Sequence, residues 1–138
     1  MKFFAIISFF LFSISLSAQD KKEAPEVTIY SSVLQQGELL SFANKALRFK
    51  EVISDSRCPK GVTCVWAGEA KVLVEVFENG KFLEEKIISV DSGNIPWNFT
   101  VKNITYSITG LNLYPYPTLE TKKTRPEYSL QVQVSEKI

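Results

Sequence analysis

The residues with the most chemical potential are gathered between Ser54 and Glu69, in the stretch SDSRCPKGVTCVWAGE. Both cysteines of the chain, Cys58 and Cys64, stand there. With them come two carboxylates, Asp55 and Glu69, two cations, Arg57 and Lys60, and the indole of Trp66. Such a set could hold a metal, exchange electrons, present an inhibitory loop to a protease, or simply staple two strands together.

Composition removes several of these options. The chain has no histidine, and its single methionine is the initiator. Ser-His-Asp and Cys-His nucleophilic sites are therefore excluded, as are histidine-ligated zinc and soft copper centres built on His or Met. Two thiolates with only Asp55 and Glu69 nearby make a poor metal site. A thioredoxin-like pair would have two residues between its cysteines at a helix N-terminus, whereas here five intervene, among turn and strand residues. No metal, cofactor or catalytic residue is expected.

The compartment comes from the other end of the chain. MKFFAIISFFLFSISLSAQD has one basic residue, an apolar run from Phe3 to Leu16, then small residues, the pattern of a secretory signal peptide. Its apolar run is shorter than the roughly 20 residues that span a bilayer. Cleavage after Ala18 is expected, with neither a membrane span nor a lipidated cysteine left behind. Export makes a Cys58–Cys64 disulfide the first expectation. Closing so short a loop stabilises by only about 2 to 2.5 kcal/mol, so the bond would fix a local shape.

Charge narrows the partners. The 16 basic and 15 acidic residues leave +1, and loss of Lys2 with the leader makes the remainder formally neutral. A neutral chain lacks the basic stripe that holds nucleic acid or an anionic membrane. The partner classes that remain are a protein, a peptide or a glycan.

The elements that must position these residues read as strands. Residues 19–26, QDKKEAPE, form a flexible lead-in, and 27–138 form one domain. Val27–Tyr30 is a short first strand, and 33–46 leaves room for a short helix. Over 47–53, Leu47, Phe49 and Ile53 alternate with Arg48, Lys50 and Val52, although Glu51 falls on the apolar side. In AKVLVEVFENGKFLEEKIISV, Ala70, Val72, Val74 and Val76 share one face. Asn79-Gly80 supplies a type I′ turn, which predicts a hairpin of 70–78 with 81–90. Glu78 then opposes Lys81, but Val74 meets Glu85, a mismatch that a bulge in the return strand would resolve.

Further on, Trp97, Phe99 and Val101, then Ile104, Tyr106 and Ile108, alternate with polar residues, as one bent strand or two short ones. Pro115 and Pro117 in GLNLYPYPT exclude a central strand there. Tyr128, Leu130, Val132 and Val134 give the last strand one apolar face. Six or seven such strands with no convincing helix predict an all-β fold, a single antiparallel β-sandwich, immunoglobulin-like, with a small barrel as the alternative.

Within that frame the cysteine segment acquires roles. Asp55 can close an Asx turn before Cys58 and pair with Arg57. The indole of Trp66 is expected to pack on the disulfide. Lys60 at the loop tip, with Arg57 outside it, has the size and charge to enter an acidic protease pocket. Trp97, Tyr114 and Tyr116 are candidates for an exposed aromatic patch that could take a glycan or peptide, or for a cap on the sandwich end. Asp55, Glu69, Asp91 and Glu120 could supply carboxylates to a hydrolase, but no spacing pairs two of them. Asn98 and Asn103 match the glycosylation pattern and read as polar strand or turn residues.

The run DSRCPKGVTCVWAGEAKV, with LNLYPYP further on, resembles a segment of small exported bacterial proteins and lipoproteins of uncharacterised function. The pattern would include Asp55, Arg57, Cys58, Pro59, Cys64, Trp66 and Gly68, and the resemblance covers about residues 40–135. It implies export and a β-sandwich, and carries no established activity, which leaves the function open. The expectation is an exported, non-enzymatic binding or envelope-associated protein, periplasmic or extracellular. Its partner surface would be Arg57, Lys60, Trp97, Tyr114 and Tyr116; protease inhibition and carboxylate hydrolysis are the alternatives.

Overall fold

A computed structural model describes residues 22–90 and 93–138. The expected signal peptide and Asp91 lie outside the described residues, as does the start of the lead-in, whose residues 22–26 are exposed and irregular. Eight strands follow: β1 (Val27–Gln35), β2 (Leu39–Phe42), β3 (Lys45–Asp55), β4 (Ala70–Glu78), β5 (Lys81–Val90), β6 (Trp97–Val101), β7 (Ile104–Tyr114) and β8 (Ser129–Lys137). They form two four-stranded antiparallel sheets, in the orders β1-β8-β7-β6 and β2-β3-β4-β5. The two sheets pack face to face as a β-sandwich, with Leu47, Phe49, Val72, Val74, Ile108, Val132 and Val134 among its fully buried residues. The strand order is two meanders, with β1 added beside β8, and not the Greek key of an immunoglobulin domain.

The helix considered for 33–46 is absent. Leu34 is buried as part of β1, Glu38 turns the chain by accepting from the Gln35 amide at 2.7 Å, and β2 follows. Apolar residues alternate there with period two, so the chain buries one face by pairing rather than by coiling.

Bulges account for the places where simple alternation failed. In β3 the register shifts between Phe49 and Glu51 and again between Val52 and Ser54. The first shift carries Glu51 to the exposed side opposite Leu73 and removes its conflict with the apolar face. The second leaves Ile53 exposed while Val52 packs on the core, the reverse of the expected alternation. In the β4–β5 hairpin, Asn79 and Gly80 have φ of 50° and 76°, as the two-residue turn requires. Glu78 opposes Lys81, and a shift beyond Phe77↔Phe82 bulges Leu83 out of the return strand, so Val72 meets Ile88.

The two outer faces differ in character. On the β2-β3-β4-β5 sheet, Arg48, Lys50, Glu75 and Glu85 form a charged network, with Glu75 bonded to Arg48 and 3.3 Å from Lys50. Burial by itself would raise the Glu75 carboxyl, but the hydrogen bonds and charges of Arg48 and Lys50 prevail and hold it low. The outward positions of the other sheet are serine, threonine, asparagine, glutamine, tyrosine and aliphatic residues, with one charge, Lys137, at the rim.

The topology also sorts the connections. Two-residue hairpins at 43–44, 79–80 and 102–103 share one end of the sandwich, as the Asn79 amide bond to the Asn44 carbonyl at 3.0 Å and the Lys45 bond to Tyr106 reflect. The long connections 56–69 and 115–128 share the other, where β5 ends and β6 begins. Long loops gathered at one end of a rigid scaffold are where a sandwich places its variable chemistry.

Candidate functional site

At the long-loop end, the chain leaves β3 at Asp55 and returns to β4 at Ala70 through the cysteine corner. Its base is a narrow ladder. Ser56 donates to the Glu69 carbonyl through both its amide and its hydroxyl, each at 2.9 Å, and Cys58 donates to the Ala67 carbonyl at 2.9 Å. Gly68 makes this closeness feasible: it holds a φ of +68°, and a Cβ there would lie 1.9 Å from the Ser56 carbonyl oxygen. Above the ladder, Cys58 and Cys64 are joined by a disulfide, and the Val62 amide closes a turn onto the Pro59 carbonyl at 3.3 Å.

Arg57 anchors the corner. Its amide donates to Asp55 Oδ1 at 3.2 Å, the expected Asx turn, and its guanidinium closes on both carboxylate oxygens at 2.8 Å. The same guanidinium donates to the Leu113 carbonyl at 2.7 Å and the Pro115 carbonyl at 3.2 Å. The Lys60 amide adds a bond to the Pro117 carbonyl at 3.0 Å. The two segments singled out in the sequence, 55–68 and 110–117, are thereby fastened to each other across the sandwich. At only 1% exposure, Arg57 is an interior strut, which corrects its expected place on the partner surface. Local sequence signalled its pairing with Asp55; the carbonyls that complete its burial come from 56 and 58 residues away.

Asp55 takes a third donor, the Tyr128 hydroxyl at 3.3 Å. Burial tends to raise the Asp55 carboxyl, but the hydrogen bonds and charge of Arg57, with Tyr128 behind them, outweigh it and hold the group below its ordinary value. Burial and the facing carboxylate push the Tyr128 hydroxyl up.

Shallow depressions flank this cluster. One of about 220 Å³ is lined by Asp55, Pro117, Lys122, Arg125 and Tyr128, and a second of about 230 Å³ brings Glu51 alongside Asp55. The second thus places two carboxylates in a shared hollow. A general acid there would need a raised carboxyl, and Asp55 is shifted the opposite way, held ionised by Arg57. No group of three or more His, Cys, Asp or Glu residues suited to a metal occurs among the described residues.

The aromatic residues do not form the single patch expected. Tyr116 lies against the corner, its ring 5.1 Å from the Arg57 guanidinium carbon and 5.7 Å from the Lys60 ammonium. Tyr114 points outward from the β-sheet face, with its hydroxyl 3.3 Å from Gln131 Oε1. Trp97 is half-buried, packs on Phe99 at 5.0 Å, and pairs with Ile108, six residues along β7 from Tyr114, which is roughly 20 Å away. Trp97 belongs to the edge of the core.

Trp66 is the largest departure from expectation. Instead of packing on the disulfide, it is 82% exposed, and Val65 beside it is 91% exposed. A sharp bend at 65–66 turns both side chains out beyond the ladder, because Ala67 is committed to Cys58 and cannot let the strand extend back toward the bridge. Nothing in the residue types distinguishes this from a packed indole; the bend does.

No family model, no curated protein and no solved structure matches the chain. What the site can do must be read from its own geometry. That geometry is a rigid projection with an apolar tip, a cationic side at Lys60 and Tyr116, and an internal ion pair beneath. Among the described residues no helix is long and apolar enough to cross a membrane.

Proposed function

We propose that this chain is an exported, non-enzymatic binding protein of the cell envelope whose cysteine corner docks into an apolar pocket of a protein or peptide partner. The observation that carries this reading is the 82% and 91% exposure of Trp66 and Val65 on a corner fixed by Arg57, Gly68 and a disulfide. Two adjacent large apolar side chains standing free on an immobilised bend lose little conformational entropy on binding, which is how a small contact gains affinity. Lys60, which belongs to the same corner, and Tyr116, which lies against it, would supply polar contacts to such a partner.

The inhibitory-loop alternative draws less support. The Lys60 amide is held by Pro117 and the loop closes a turn from Pro59 to Val62, whereas a protease-directed loop presents extended backbone to the enzyme. A photo-crosslinking residue at position 66, with a control at Lys102 on the opposite end, tests the reading in the native envelope. A discrete adduct specific to position 66, and lost in Val65→Ser, is the expected result. Equal labelling from both positions would sink the assignment, and trypsin inhibition abolished by Lys60→Ala would transfer the corner to the inhibitor class.

A further inference from the structure

We infer that the outer face of the β1-β8-β7-β6 sheet is a second binding surface, one that takes an extended, uncharged polysaccharide. This goes beyond the corner reading and does not depend on it. Along the two central strands the outward side chains are Ser107, Thr109 and Asn112 from β7, and Gln131, Gln133 and Ser135 from β8, in mutual register. Ser107 opposes Ser135, Thr109 opposes Gln133, and Asn112 opposes Gln131. Four strands and the rows between Ser135 and Ser129 make a platform of roughly 15 by 20 Å without a formal charge, bordered along β1 by the exposed aliphatic side chains of Ile29 and Val33. The opposite sheet, by contrast, carries a dense charged network on its outer face.

Tyr114 completes the platform. It stands opposite Ser129, yet its hydroxyl reaches Gln131, two residues along β8, so the ring leans down across the sheet instead of standing upright. At 47% exposure it offers one aromatic face to solvent. The same Gln131 oxygen accepts from Asn112 Nδ2 at 2.8 Å, which fixes both amides. The Gln131 amino group and the Asn112 carbonyl oxygen are left without a partner among the described residues. Sugar hydroxyls both donate and accept, and the C–H face of a sugar ring packs on an aromatic face. A neutral glycan matches this mixture of amide donors, acceptors and one tilted ring. An anionic polymer would find no cation on the face except Lys137 at its rim.

Affinity electrophoresis of the purified full chain tests this, in gels containing hydroxyethyl cellulose, mixed-linkage β-glucan, galactomannan, starch or dextran, with alginate as the anionic control. Retardation by at least one neutral polymer is expected, weakened about tenfold or more in Tyr114→Ala, as when a central aromatic contact is lost. Gln133→Lys, a charge introduced at a half-buried outward position of β8, should weaken it as well, and Trp66→Ala should leave it unchanged. The proposal is overturned if no neutral polymer retards the protein, if retardation survives both Tyr114→Ala and Gln133→Lys, or if alginate retards it more strongly. A dimer in sedimentation that Gln133→Lys dissociates would also overturn it, by giving the face to a second copy. None of these outcomes touches crosslinking through position 66, so the two surfaces stand or fall separately.

Discussion

The Arg57 guanidinium, almost wholly out of contact with water, meets the part-buried Asp55 carboxylate through two bonds of 2.8 Å each. Charge-assisted pairs of this bidentate form are strong, and removing one member leaves the other charged and buried. Arg57→Ala should therefore destabilise the fold by about 3 to 5 kcal/mol. Lysine cannot reproduce the fork or reach both the carboxylate and the Leu113 carbonyl, so Arg57→Lys should recover little of the loss. Urea unfolding of the two variants measures this; a wild-type midpoint in Arg57→Lys would refute the strut role.

Stability should fall on the acid side. Asp55 and Glu75 both have carboxyls lowered in the folded state. Each contributes stabilisation that is fully present above its unfolded value near pH 4 and lost as pH falls through the lower folded value. Thermal midpoints should be level above about pH 5 and drop below about pH 4, with the drop shallower in Asp55→Asn. An acid limb equally steep in that variant would remove Asp55 from the account.

The two glycines of the corner should respond differently. A Cβ at Gly68 would strike the Ser56 carbonyl, whereas at Gly61 it would meet open space, although both hold positive φ. Gly61→Ala should cost about 1 kcal/mol from backbone strain alone, and Gly68→Ala clearly more. Equal costs would show that the 56–69 ladder relaxes without penalty.

Loss of the disulfide should be tolerated. Cys58→Ser with Cys64→Ser should lower stability by about 2 kcal/mol or less, because the loop closed is short and Arg57 and the Ser56–Glu69 bonds remain. Intact mass of the native protein, alkylated with and without prior reduction, should reveal one bridge. Two thiols reactive without reduction would contradict the structure.

The tip should be neutral to folding. Trp66→Ala and Val65→Ser should each shift stability by less than about 0.5 kcal/mol, since neither side chain packs on the core. A larger loss in calorimetry would place the indole against the protein after all.

Period-two alternation in 70–76 and 128–134, with Asn79-Gly80 between two such runs, was enough to predict strands, hairpin and all-β class. Those signals are local, set by the pleat and by which residues tolerate positive φ. Bulge positions were only half legible: the clash of Val74 with Glu85 called for one in β5, but the two in β3 depend on its pairing with β4. The cysteine corner followed the same division. Its Asx turn and disulfide arise between near neighbours, and both could be expected from residue type and compartment.

What the sequence by itself determined is therefore the all-β class and most of its strands, though not β2 or the second half of β1, with the absence of imidazole chemistry and the short-range closure of the corner. Tertiary structure alone decided that Arg57 is interior, because its carbonyl acceptors lie on β7 and just beyond it, more than 50 residues away. It alone decided that Trp66 is exposed, because the commitment of Ala67 to Cys58 sets the direction of the bend. Exposure is a property of what packs alongside a residue, and for an arginine or tryptophan on a loop no local pattern encodes that neighbour.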